Sequence, residues 1–139
     1  METFEINLVD LQPSQLYISA DKLAKVERSM RDAAARPEPL PVERVGPRTV
    51  LTDGHTRALA AYRAGARSVP VYRETDELDW AAYEICVRWC LDAGIRSIAD
   101  LQTRIVTADR YEDLWYARCR ALHEQLNRRR AAGNDGGTT

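Results

Sequence analysis

Cysteine, net charge and long apolar runs are all scarce in this sequence, and each shortage removes a class of protein. Three cysteines in 139 residues (Cys86, Cys90 and Cys119) are an odd count with no framework spacing, which fits a reducing compartment. Lys and Arg together number 20 against 21 Asp and Glu. A dedicated DNA binder carries a basic excess, because phosphate contacts dominate its affinity. No apolar stretch nears the roughly 20 residues that span a bilayer. The opening residues, Met1-Glu2-Thr3-Phe4-Glu5, lack the basic and apolar regions of a signal peptide. The expectation is a cytoplasmic protein with no membrane role. Neither a Gly-rich Walker loop nor a dinucleotide fingerprint occurs, and there is no internal repeat.

What is present suits a globular fold. Apolar residues make up 45% and charged residues 29%, and the length fits one domain with or without an appendage. Alternation of Phe4, Ile6 and Leu8 predicts a strand over 4–9. A turn at Gln12-Pro13-Ser14 and an extended piece at 16–18 follow. Ser19 and Asp21 are candidate caps for a helix over 21–34, with Leu23, Val26 and Met30 on one face. Pro37, Pro39 and Pro41 enforce an extended connection. Strands at 42–45 and 49–52, joined by Gly46-Pro47, predict a hairpin. A helix over 55–64 ends at Gly65, and a strand covers 69–73. The predicted class is α/β (α+β), a small mixed sheet with helices. Helices over 77–93, 98–105 and 108–131 form a helical C-terminal extension packed on residues 1–75, and 132–139 is expected to be a disordered tail.

Asp53-Gly54-His55-Thr56-Arg57 is the segment that bears chemistry. A strand enters a tight turn there and leaves as a helix. The first amides of that helix lack intrahelical partners and carry the positive end of the macrodipole. Gly54 removes the side chain that would block an approaching anion. Arg57 offers a bidentate grip on phosphate, and His55 a donor that becomes cationic near neutral pH. Asp53 repels phosphate directly, so it reads as a metal ligand, a base for a substrate hydroxyl, or an N-cap. The bland reading is a common turn and cap followed by a solvated arginine.

Gly54-His55-Thr56-Arg57-Ala58-Leu59-Ala60-Ala61 resembles the Gly-x-x-Arg-x-x-Ala-Ala box of the ParB/sulfiredoxin superfamily. Leu11-Gln12-Pro13-Ser14-Gln15-Leu16-Tyr17, followed by a helix, is similar to its first conserved block. The resemblance covers about residues 4–74, and the Asp-Gly-His-x-Arg form is nearest to the free serine kinases and ParB-like proteins grouped with them. It implies nucleotide phosphates held at the helix entrance: ATP in sulfiredoxins, ADP or ATP in serine kinases, CTP in ParB, with Mg²⁺ for phosphoryl transfer. The implied function is transfer of phosphate from ADP or ATP to a small hydroxyl compound such as free serine. Gly54, His55, Thr56 and Arg57 would hold phosphate, Asp53 and His55 would be catalytic, and Gln15 would orient the acceptor. Tyr17, just after the Pro13-Ser14 turn, reads either as a contact of the bound molecule or as a buried ring. The alternatives are a nucleotide sensor without catalysis and a ParB-like DNA or protein adaptor, with a homodimer in view.

Departures from that pattern limit the transfer. Sulfiredoxins carry a reactive cysteine where this chain has His55. The serine kinases carry a catalytic glutamate where this chain has Gln15, and a second histidine where it has Thr56. An amide cannot accept a hydroxyl proton, so the base must come from Asp53, His55 or a carboxylate such as Glu27. Partition proteins add a helix-turn-helix and a dimer domain, for which this length leaves no full room. Cys86 and Cys90, and Cys119 and His123, are spaced four apart on predicted helices and could together offer zinc four ligands. Cysteines among Ile85, Val87 and Trp89 read first as core, and no metal ligand is assigned. Trp80, Trp89 and Trp115 likewise read as core, and Arg128-Arg129-Arg130 as a solvated helix end.

Overall fold

A computed structural model of the chain describes residues 2–33 and 38–136. Five strands form one mixed sheet in the order β1-β6-β4-β5-β2, with β1 at Phe4–Asn7, β2 at Leu11–Gln12, β4 at Leu40–Val45, β5 at Arg48–Leu51 and β6 at Ser68–Arg73. The expected hairpin is there. β4 and β5 run antiparallel around Gly46, with Val42 opposite Leu51. The outer pairs are set by the same alternation: Phe4 and Ile6 face Val71 and Val69 across an antiparallel ladder, and β4 runs parallel to β6. The first strand is shorter than its alternation suggested. It stops at Asn7, and Leu8–Asp10 coil into a 3-10 turn that buries Leu8.

Two helices cover the sheet and touch each other: α1 (Ala20–Ala33) and α2 (His55–Arg63). Ala58, Leu59, Ala60 and Ala61 are all sealed from solvent, so the small residues of α2 let it seat closely against its neighbours. Pro37 lies outside the described residues.

The C-terminal part departs most from its sequence pattern. Helix α3 (Trp80–Asp92) starts three residues later than expected, because Asp79 caps it by accepting from the Ala82 amide. Residues 98–105 are not an α-helix. Ile98–Thr103 form a 3-10 helix behind a Ser97/Asp100 capping box, and Ile105–Val106 form a strand, β7, pairing in parallel with β3 (Ile18–Ser19). Ile98, Leu101 and Ile105 keep a spacing compatible with a helix, but pairing with Ile18 and burial of Ile98 and Leu101 override it. The last helical run comprises α4 (Ala108–Tyr111), a π-helical turn (Glu112–Tyr116) and α5 (Ala117–Gly136). Helix thus extends over 132–136, where an unstructured tail was expected.

One apolar core joins the halves. Leu11, Leu16, Ile18, Leu51 and Leu59 pack in the same cluster as Cys90, Ile95, Ile98, Leu101, Tyr111 and Trp115. A smaller cluster of Ala82, Leu122 and Leu126 holds α3 to α5. No helix among the described residues is long and apolar enough to cross a membrane.

Candidate functional site

The turn between β5 and α2 is built around one backbone torsion. Gly54 has φ of +84°, left-handed space that a side chain disfavours. A Cβ there would also meet Leu40 Cδ2 at 2.8 Å and Arg57 Nη2 at 2.9 Å. The Arg57 guanidinium therefore folds back over the turn, in space that only glycine leaves open. Gly54 is also the N-cap of α2, and it supplies no side-chain cap. Asp53 is not the cap. Its Oδ1 accepts from the Gly54 amide at 2.8 Å, one residue before the helix. The opening amides of α2 are left for another acceptor.

His55 departs from the expected cationic donor. It is 4% exposed, and its Nε2 accepts the Ser14 amide at 3.0 Å. Ser14 is fixed in turn by its hydroxyl, which donates to the Leu51 carbonyl at 2.7 Å. Burial pulls the imidazole down to about 4, overriding the Asp53 charge that would raise it. His55 is therefore neutral at pH 7, with its proton on Nδ1. Among the described residues Nδ1 has no hydrogen-bond partner, and no fully buried polar side-chain atom lacks one, so Nδ1–H keeps an outlet to solvent.

A cleft of about 520 Å³ opens at this turn. Asp53, Gly54, His55, Thr56 and Arg57 form one wall, so all five candidates come together. Helix α1 contributes Lys22, Lys25 and Val26, and the segment at 111–116 contributes Tyr111, Trp115 and Tyr116. Asp53 is the one carboxylate among the described lining residues, against three cations. No described carboxylate pairs with Arg57, Lys22 or Lys25. Lys22 instead hydrogen-bonds the Tyr116 hydroxyl, and its Nζ lies 4.9 Å from the Tyr116 ring and 5.1 Å from that of Tyr111. Sequence reasoning missed these residues. Lys22 and Lys25, three apart at the start of a capped helix, were the available signal for part of the set.

Gln15 lines the cleft, with its amide committed: Nε2 donates to the Tyr17 carbonyl at 2.8 Å and to the Tyr111 hydroxyl at 2.9 Å. Tyr17 is not in the lining. Its ring packs under Arg104, whose guanidinium sits 4.5 Å above it. Glu27 is also elsewhere, paired with Arg63 at 3.4 Å. A second cavity, of about 330 Å³, shares Gln15, His55 and Trp115 with the cleft and continues to Thr52, Tyr83, Cys86, Cys119 and His123. Burial pushes the Cys86 thiol up to about 12 and raises that of Cys119, so both stay protonated and poorly nucleophilic. Cys90 is sealed in the core. Among the described residues no three His, Cys, Asp or Glu side chains are gathered to hold a metal ion. Arg130 is not merely solvated, because it binds Asp79 at 2.8 Å.

No known family pattern matches the chain, and no curated protein matches it in sequence. Solved structures do. Protein Atu1540 from Agrobacterium tumefaciens is 17% identical with a TM-score of 0.51, over 72% of this chain and 61% of that one. A conserved hypothetical protein from Pyrococcus furiosus is 20% identical at 0.50, over 55% of this chain and 34% of that one. The C-terminally truncated chromosome-partitioning protein ParB from Caulobacter crescentus, complexed with CTP-gamma-S, is 21% identical at 0.46, over 66% of this chain and 54% of that one. The chain thus spans between about a third and three-fifths of the length of these structures. The likeness shows the fold: a mixed five-stranded sheet, with the Gly54–Ala61 box at the mouth of α2, in the arrangement shared with the Agrobacterium and Pyrococcus proteins.

Proposed function

We propose that the protein binds a nucleotide by its phosphates in the cleft at the mouth of α2. The observation that carries this is a charge imbalance at one place. Arg57, Lys22 and Lys25, none paired with a described carboxylate, line the cleft at an uncapped helix entrance with Asp53 as the one acidic residue among the described lining. Cations without a described carboxylate partner, beside open amides, favour an anion with several oxygens, and the neutral His55 Nδ1–H adds a donor. The volume, about 520 Å³, falls within the roughly 300–1,000 Å³ of small-molecule sites. Mg²⁺ fits the same lining. It is commonly held by one or two carboxylates together with substrate phosphates, and in the binding-only reading Asp53 would be the carboxylate. When bound, the ion would neutralise charge on the phosphate oxygens.

A finer reading, transfer of phosphate from ADP or ATP to a small hydroxyl compound such as serine, is supported by the second cavity. It meets the cleft at Gln15, His55 and Trp115, where an acceptor would sit beside the phosphates. The hydroxyl oxygen would form a new bond to phosphorus as the bond to the nucleotide breaks, and its proton would go to the Asp53 carboxylate. His55 does not suit that role, since Nε2 is engaged and the ring resists a second proton. The binding-only reading is favoured by Gln15, whose committed amide offers no base.

Calorimetric titration with ATP, ADP and CTP, with and without Mg²⁺, tests the site. Micromolar binding is expected, weakened about 10- to 100-fold in Arg57→Ala through loss of a charged hydrogen bond. Wild-type protein that takes up no nucleotide would sink the proposal. Serine-dependent consumption of ADP or ATP, lost in Asp53→Asn, separates the transferase from the sensor.

A further inference from the structure

The helical extension brings a second kind of chemistry to the cleft. Tyr111, Trp115 and Tyr116 all reach it, although a regular helix would not present them together. At 3.6 residues per turn, Tyr116 would lie about 140° around the axis from Tyr111. The π-helical turn at Glu112–Tyr116 narrows that offset, and the two rings meet edge to face with centroids 4.9 Å apart. Such turns are rare and cluster at functional sites. Core packing accounts for Tyr111 and Trp115, which are buried. It does not account for Tyr116, which is 38% exposed at the rim. Its ring is braced by Tyr111 and its hydroxyl is held by Lys22.

We infer that Tyr116 is the platform on which the nucleobase stacks, positioned by the π-helical turn. This rests on the phosphate reading of the cleft and goes one step past it: the sheet half would hold the phosphates, and the extension would hold the base. A braced, half-open ring beside a cation suits a flat aromatic ligand, since stacking needs a fixed face and little ordering on binding. It tolerates any base, so the platform supplies affinity for a nucleotide over a bare polyphosphate.

The test compares tripolyphosphate, which has no base, with whichever of ATP, ADP and CTP binds tightest. Wild-type protein should prefer the nucleotide. Tyr116→Ala should weaken nucleotide binding about tenfold and leave tripolyphosphate binding unchanged. Tyr116→Phe, which keeps the ring and loses the Lys22 hydrogen bond, should retain the preference. Equal loss for both ligands in Tyr116→Ala would overturn the inference, because the residue would then act only through Lys22. No loss for either would overturn it too, as would a wild-type protein that binds tripolyphosphate as tightly as the nucleotide. In that last case the phosphate site stands. If neither ligand binds the wild type, the phosphate reading falls and takes the platform with it.

Discussion

Burial of the His55 imidazole ties the stability of the cleft to pH. The folded ring titrates at about 4 and the unfolded one near 6.5. Between those values the unfolded chain takes up a proton that the native ring refuses, so acid favours unfolding. The contribution is complete above pH 6.5, declines as pH falls toward 4, and changes no further below that. From pH 7 to pH 5 this amounts to about 2 kcal/mol. Urea midpoints at the two pH values should show the loss, and His55→Gln should be less stable at pH 7 but flatter across the window. A wild-type slope unchanged by the substitution would assign the effect to other groups. That position 55 opens α2 was legible in the sequence, whereas its protonation state was not. Neutrality follows from the Ser14 amide, 41 positions away in the chain, and from burial under it. Tyr17 illustrates the same limit. Its place near the first conserved block suggested ligand contact, but Arg104 claims its ring.

The 3-10 helix at Ile98–Thr103 and α1 are the elements against which α2 packs, and α2 supplies one wall of the cleft. Leu101 is fully buried in the shared core. Leu101→Ala should cost about 2–5 kcal/mol in chemical denaturation. Because it loosens the support of α2, nucleotide affinity should fall as well, although Leu101 is not among the cleft residues. A stability loss with unchanged affinity would show that the support is not coupled to the site. Helix α2 itself was legible, since Asp53-Gly54 and Gly65 bracket it with turn chemistry. The elements at 98–106 were not, because short segments take their form from tertiary partners. The π-helical turn at Glu112–Tyr116 left no mark that hydrophobic spacing could register, since Tyr111, Trp115, Leu122 and Leu126 satisfy a plain helix nearly as well.

For the whole molecule, a boundary near residue 75 is a boundary in pattern. Gln12 donates to the Ile95 carbonyl, Arg104 to that of Leu16, and β3 has its partner in β7. Residues 1–75 alone would expose the faces of Leu11, Leu16, Ile18 and Leu59 that the extension covers. That fragment is expected to show no cooperative thermal transition. In the full chain, tryptophan fluorescence (Trp80, Trp89 and Trp115 all lie beyond residue 75) and far-UV circular dichroism should unfold together. Two separated transitions would restore an independent first half. The order of elements, the box at α2 and the packing of the extension on residues 1–75 were legible from local pattern; the sheet order was not, because it sets Phe4 against Val71 and Leu11 against Thr49.

The hydrogen bond from Gln15 to the Tyr111 hydroxyl closes a loop of 96 positions. A ribosome releases the chain from its N-terminus, so the box at Gly54–Arg57 emerges long before Tyr111 and Tyr116 can reach it. Nascent chains would carry the Gly54–Arg57 wall of the cleft for several seconds without its roof, at roughly 5–20 residues per second. Such long-range closure also belongs to slow folding. A nucleotide present during refolding would find a complete cleft only after the last quarter of the chain had docked.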